Sequence, residues 1–205
     1  KKDGTISHDN SGYKIWTSQR LNKILNDASS KGVKIHLRVA LFNSSGQNPV
    51  GELLSSPQKR QKAIASIVEE INNSPNPING INVDFEPVPT ASRDQFTIFI
   101  KDLRTELDKV DTSLEIVIDT FASTASAEGG FDLKKLTPYV NGFFIMSFTL
   151  ISPSSSTQAG SHNPYNSLVK IADQYLAKVP KDKIILGFPF YTSGWKTKDS
   201  SYRSK

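Results

Sequence analysis

Cysteine is absent from this 205-residue chain. That excludes disulfides and thiol catalysis, and it removes the ligand most structural zinc sites use. Long apolar runs are absent as well: none approaches the roughly 18 residues of a membrane-spanning helix, so no membrane span is expected. The amino end, Lys1-Lys2-Asp3-Gly4, leads into polar residues and does not read as a signal peptide. A mature or trimmed piece of a longer protein looks the same, which leaves the compartment open. His8 and His162 stand alone, with nothing at metal-ligand spacing around them. No Gly-x-Ser-x-Gly, P-loop or Gly-x-Gly-x-x-Gly stretch occurs, which makes triad hydrolases and nucleotide enzymes poor candidates. The net charge of +5 is not concentrated, because Lys and Arg are scattered among Asp and Glu. The densest basic cluster, Lys59-Arg60-Gln61-Lys62, falls within a helical pattern and is read as a solvated helix face rather than a nucleic-acid patch.

What is present is a regular alternation of two periodicities. Ser18 to Ser30 carries Leu21, Ile24, Leu25 and Ala28 at helical spacing, with Gly32 placed to end the helix. Val33 to Phe42 reads as a strand. Ser56-Pro57 supplies an N-cap and a first-turn proline for a helix whose buried stripe is Ala63, Ile64, Ile67, Val68 and Ile71. A strand over Ile81 to Glu86 follows, then a helix bearing Phe96, Phe99, Ile100, Leu103 and Leu107. The pattern continues with a strand at Leu114–Thr120, a short helix at Leu133–Tyr139 and a strand at Gly142–Phe148. A helix at Ser167–Lys178, with Ser167 as its cap, and a strand at Lys183–Phe190 close it. Five strands joined by helical crossovers imply a parallel sheet with helices outside it. A (β/α)8 TIM-type barrel typically needs about 250 residues, so the chain is either a piece of a barrel or a smaller open α/β sheet. No repeat or linker divides residues 1–205, which read as a single domain. The polar loops Asn43–Pro49, Ser123–Gly130 and Ser152–Pro164 mostly follow strand C-termini, where α/β enzymes place their sites.

The stretch Asn79-Gly80-Ile81-Asn82-Val83-Asp84-Phe85-Glu86 stands apart. In a strand, alternate residues share a face. One face therefore carries Asn82, Asp84 and Glu86, and the other Ile81, Val83 and Phe85. Neighbouring carboxylates on one face lie roughly 7 Å apart, at about 3.3 Å of rise per residue. At that range they repel, and the more desolvated carboxyl tends to keep its proton near neutral pH. Asn79-Gly80 is also a hairpin-turn signal, and a wet strand face can carry the same acids. The flanking helices argue against a hairpin, which would have to pair Ile81–Phe85 with the proline-rich Ser74–Ile78.

This stretch resembles the fourth-strand signature, DxxDxDxE, of family 18 glycoside hydrolases, which include chitinases, endo-β-N-acetylglucosaminidases and bacterial cell-wall or spore-cortex glucosaminidases. Lys31-Gly32-Val33-Lys34-Ile35 resembles the entry to that family's third strand. Phe144-Ile145-Met146-Ser147-Phe148 resembles its sixth strand, and Lys183-Ile184-Ile185-Leu186-Gly187-Phe188-Pro189-Phe190-Tyr191 its seventh. The resemblance covers most of the chain and implies an incomplete (β/α)8 TIM-type barrel domain containing roughly strands three to seven. It implies retaining, substrate-assisted cleavage of a β-linked N-acetylhexosamine glycan such as chitin, a peptidoglycan-like polymer or an N-glycan core. Glu86 would be the general acid, and Asp84 would orient and stabilise the substrate's N-acetyl group, whose carbonyl oxygen is the nucleophile. Neither metal nor cofactor is implied. A secreted or cell-surface location follows from the resemblance alone.

Departures from the family pattern are specific. The first and second Asp of the signature are Asn79 and Asn82 here. Phe148 stands where the family has a tyrosine that holds the N-acetyl carbonyl, and Thr149 replaces the Asp that follows. Losing a donor to a developing charge costs roughly 3–4 kcal/mol. Val39-Ala40-Leu41-Phe42 occupies the region of the third-strand Ser-x-Gly-Gly, and Thr192-Ser193 follows Tyr191 in place of Gly-Arg. Two alternatives therefore stay open: a glycan-binding relative without turnover, and an inactive barrel fragment. Asp119, late in its strand, is either a site carboxylate supporting Asn82 or a loop cap. Arg38 and His36 alternate with Ile35, Leu37 and Val39, so they point into the barrel. Arg38 there is either a structural ion pair with Asp84 or Asp119, or a substrate contact. Phe148, Tyr191 and Trp195 are either sugar-stacking rings or ordinary core.

Overall fold

A computed structural model describes residues 1–127, 129–148, 150–152 and 159–196. Its centre is a five-stranded parallel sheet in sequential order, β1 (His36–Phe42), β2 (Gly80–Glu86), β3 (Glu115–Phe121), β4 (Gly142–Met146) and β5 (Ile184–Leu186). The helices between them are α1 (Ser11–Trp16) and α2 (Gln19–Ser30) before β1, then α3 (Pro49–Leu54) and α4 (Pro57–Asn72). Then come α5 (Arg93–Val110), the single turn α6 (Leu133–Leu136) and α7 (Tyr165–Leu176). Neighbouring strands in sequence are neighbours in space, as right-handed βαβ crossovers demand.

Local chemistry accounts for most element ends. Ser56 caps α4 by accepting from the Lys59 amide at 3.3 Å, and Pro57 fits the first turn because no partner exists there for an N–H. Ser18 caps α2 in the same way, and Gly32, at φ 76°, provides the left-handed residue that releases the chain toward β1. Asn48-Pro49 repeats the cap–proline device for α3, a helix that the polar composition of Asn43–Pro49 conceals from the sequence. Asn79 makes no hairpin turn. Its Oδ1 accepts from the Ile35 amide at 2.8 Å while its own N–H donates to the Ile35 carbonyl at 2.7 Å, pinning the entry of β2 to that of β1. Asn141 does the same for β4 against Ile116 of β3, at 2.9 and 2.7 Å.

The core lies between the sheet and α4–α5. Ile81, Val83 and Phe85 of β2 pack with Ile116 and Ile118 of β3, Ile64 and Ile67 of α4, and Phe96, Phe99 and Leu103 of α5. Phe85 stacks on Phe99 at 5.4 Å between ring centroids, and Phe96 meets Phe131 edge-on at 5.3 Å. Burying a phenylalanine of this kind contributes about 1.5–3 kcal/mol. Tyr175 of α7, fully buried, donates its hydroxyl to the Phe121 carbonyl at 2.7 Å and so fastens that helix to the end of β3.

Four expectations are corrected. Arg60 is not on a solvated face: it is buried and its guanidinium donates to the Leu54 carbonyl at the end of α3. Ser167 is not the cap of α7, which starts two residues earlier with Pro164 in the cap position. The fourth strand stops at Met146 rather than Phe148, because the Ser147 amide turns back to the Ile145 carbonyl and its hydroxyl donates to Gly187 at 2.7 Å. The fifth strand is only Ile184–Leu186 long. Lys181–Lys183 coil into a 3-10 turn, where the Lys183 ammonium donates to the Thr137 and Val140 carbonyls at 2.7 Å, and Pro189 has no N–H to extend the ladder.

Candidate active site

The face of the sheet away from α4 and α5 holds the polar residues. In register, Arg38 of β1 lies opposite Asn82 of β2, Ala40 opposite Asp84, and Phe42 opposite Glu86. Asn82 in turn lies opposite Val117 of β3, whose next residue on that face is Asp119. Parallel pairing therefore brings three carboxyls, one amide and one guanidinium from three strands into one patch near the strand C-termini.

The patch is wired by charge. Asp84 is 1% exposed, and Arg38 donates an Nη2 hydrogen to its Oδ2, while Oδ1 is buried without a partner. Arg38 also lies over the Phe42 ring, 5.4 Å from its centroid. Asn82 Nδ2 donates to Asp119 Oδ1 at 2.7 Å. That bond ties β3 to β2 on this face. Burial pushes the Asp119 carboxyl up to about 6; the bond from Asn82 opposes the rise, the charge of Asp84 adds to it, and Arg38 opposes it. Glu86, half-buried, rises to about 7, first through burial, then through the neighbouring Asp84 carboxyl and the charges of Asp84 and Asp119, against a smaller opposing effect of Arg38. Near neutral pH Glu86 thus holds a proton beside the arginine-paired Asp84, an arrangement suited to proton donation.

Two of the aromatic candidates, Tyr191 and Trp195, make their ring contacts away from this patch. Tyr191 packs edge-on against His162 at 5.2 Å, and Trp195 tilts against the same imidazole at 6.3 Å. His162 is buried, and its Nε2 lies 2.9 Å from the Ser193 hydroxyl. The loop histidine that looks isolated in sequence is therefore the hub of a ring cluster beyond β5; only the fold brings residue 162 to residues 191–195. Phe148 is half-buried just past the end of β4. Thr149 lies outside the described residues. A cavity of about 590 Å³ runs along the free edge of β1, lined by Ile6, Tyr13, Trp16, Leu37, Val39 and Leu41, and the three carboxyls do not line it.

A family model described as glycosyl hydrolases family 18 matches residues 1–205. The chain belongs to this family. Among family relatives, the Bacillus subtilis protein named "Putative sporulation-specific glycosylase YdhD" is 29% identical over 147 residues, covering 71% of this chain and 34% of that one. The crystal structure bearing the same name superposes with a TM-score of 0.75 at 23% identity, over 93% of this chain and 60% of that one. A chitinase from Trichuris suis superposes over 100% of this chain and 60% of its own, with a TM-score of 0.80 at 15% identity. The chain thus spans about a third of the length of the curated relatives it matches. β1 to β5 form an arc of the family 18 (β/α)8 barrel, the third to seventh strands, as the motif order implies.

Proposed function

We propose that this family 18 domain hydrolyses β-linked N-acetylhexosamine glycans with retention. Glu86 protonates the glycosidic oxygen as the bond to the anomeric carbon breaks. The substrate's own acetamido oxygen attacks that carbon, and Asp84 stabilises the resulting oxazolinium ion by holding its N–H. Water, deprotonated by the Glu86 carboxylate, then opens the ring, and Glu86 recovers its proton. Asn82 and Asp119 hold the patch from below. Phe148, Tyr191 and Trp195, beyond the ends of β4 and β5, supply rings for stacking on the sugar. Chitin, a peptidoglycan-like polymer and N-glycan cores all present the required acetamido group, and such polymers place the protein outside the cell or on its surface.

The observation that carries this reading is Glu86 itself, a half-buried carboxyl pushed up to about 7 beside a paired, buried Asp84. Hydrolysis of chitin oligosaccharides and peptidoglycan by the longest natural form, beside Glu86→Gln, tests it. Product from the wild type and little from the variant is expected; equal, negligible release by both overturns it. A second reading, glycan binding without turnover, is favoured by Phe148, which offers no hydroxyl to the acetamido carbonyl. Binding of the oligosaccharide without release of product would select it.

A further inference from the structure

Asp84 is the most buried acid of the patch, and Glu86 and Asp119 crowd its face with further negative charge. Its neighbour on the strand, Asn82, is engaged with Asp119 at 2.7 Å. What holds Asp84 comes instead from β1. Arg38 lies opposite Asn82, one step short of Asp84, so its side chain must run past residue 40 to make the ion pair. Residue 40 is alanine, directly opposite Asp84, and its single methyl leaves that path open. Beyond it the Phe42 ring backs the guanidinium. Ala40 and Phe42 thus form a seat that sets Arg38 at the height of Asp84.

We propose that Arg38 is a positioning residue: gripping Asp84 by Oδ2, it presents Oδ1 to Glu86 and to the incoming acetamido N–H. Oδ1 is buried and has no hydrogen-bond partner, so it is the oxygen left for both. When the acetamido N–H arrives, it donates to Oδ1, and the Glu86 proton goes to the glycosidic oxygen. Asp84 serves both steps in one orientation. The catalytic part of this inference rests on the hydrolytic function proposed above; the positioning of Asp84 does not.

The charged groups facing Glu86 are Asp84 on its own strand, Arg38 from β1 and Asp119 from β3. On that face β4 presents the uncharged Phe144 and Met146. The test titrates Glu86 by carbon-13 carboxyl NMR in the full chain and measures kcat and KM on a chitin oligosaccharide, for wild type, Arg38→Met, Arg38→Lys and Ala40→Leu. In Arg38→Met the Glu86 midpoint should rise by roughly half a unit or more. Its kcat should fall roughly ten- to a hundredfold while KM changes little. Arg38→Lys should recover part of the loss. Ala40→Leu keeps the charge but fills the seat, so it should move midpoint and kcat in the same direction, and it serves should Arg38→Met fail to fold. An unmoved midpoint in both Arg38→Met and Ala40→Leu overturns the proposal. So does a midpoint that moves in Arg38→Met but not in Ala40→Leu, since Arg38 would then act as a charge without a position. If the wild type releases no product from any glycan, the hydrolytic function falls, while the titration still decides whether Arg38 acts on the carboxyl pair by its position.

Discussion

The two faces of β2 are built from alternating residues of one seven-residue strand, yet they obey opposite rules. On the helix-covered face Ile81, Val83 and Phe85 are 0–3% exposed and belong to the apolar core. On the other, Asn82, Asp84 and Glu86 gather charge, a buried atom without a partner and carboxyls shifted toward neutrality. The first face supplies stability. The second consumes some of it, because a carboxylate costs free energy to bury beside another. A strand can do both because its side chains alternate strictly, so neither face constrains the residue types of the other.

Substitutions on the two faces should therefore separate activity from stability. The largest effect is expected from Glu86→Gln, which removes the proton donor: hydrolysis should fall roughly 10²–10⁴-fold with the fold intact by circular dichroism. Retained activity would place the acid elsewhere. Next, Phe85→Ala, one residue away, should cost about 3–5 kcal/mol in urea unfolding, and its activity per folded molecule should stay near wild type. A variant that loses activity while fully folded would show that the two faces are not independent.

A smaller effect is set by pH. The proposed reaction needs Glu86 protonated, and its carboxyl is pushed up to about 7. The rate should therefore decline above about pH 7, by roughly tenfold per unit, whereas a profile flat to pH 9 would contradict the assignment. The smallest effect concerns stability. The raised value means that the folded state binds the Glu86 proton more tightly than the unfolded chain does. That contribution is fully present below about 4.5 and is lost as pH rises through about 7. Glu86→Gln, always uncharged, should match wild type at pH 4 and exceed it by about 1 kcal/mol at pH 8, after allowance for the partial exposure of the side chain. Equal melting temperatures at pH 8 would mean that the acid costs the fold nothing.

Much of this was legible in the linear chain. The alternation of Ile81, Val83 and Phe85 with Asn82, Asp84 and Glu86 is local, and so are the Ser18, Ser56-Pro57 and Gly32 signals; each depends on residues within a few positions, and each appears in the structure as read. Where the reading slipped, distant partners decided the outcome. Arg60 sits in a basic run but is drawn inward by a carbonyl of the preceding helix. The last two strands are shorter than their apolar patterns because Ser147 and Lys183 bond to residues about 40 positions away. His162 seems isolated until the chain returns with Tyr191 and Trp195.

The sequence by itself determined that Asn82, Asp84 and Glu86 share one face of a strand, because strand periodicity is an intrinsic property of the backbone. It also determined the family, through ordered motifs on successive strands. Only the tertiary structure decided which of the acids would hold a proton. That depends on burial, on Asp119 arriving from β3 to take the Asn82 amide, and on Arg38 reaching past Ala40 to Asp84. Electrostatic interactions act through space rather than along the chain, so the register between strands, and not the order of residues, sets their sign and strength.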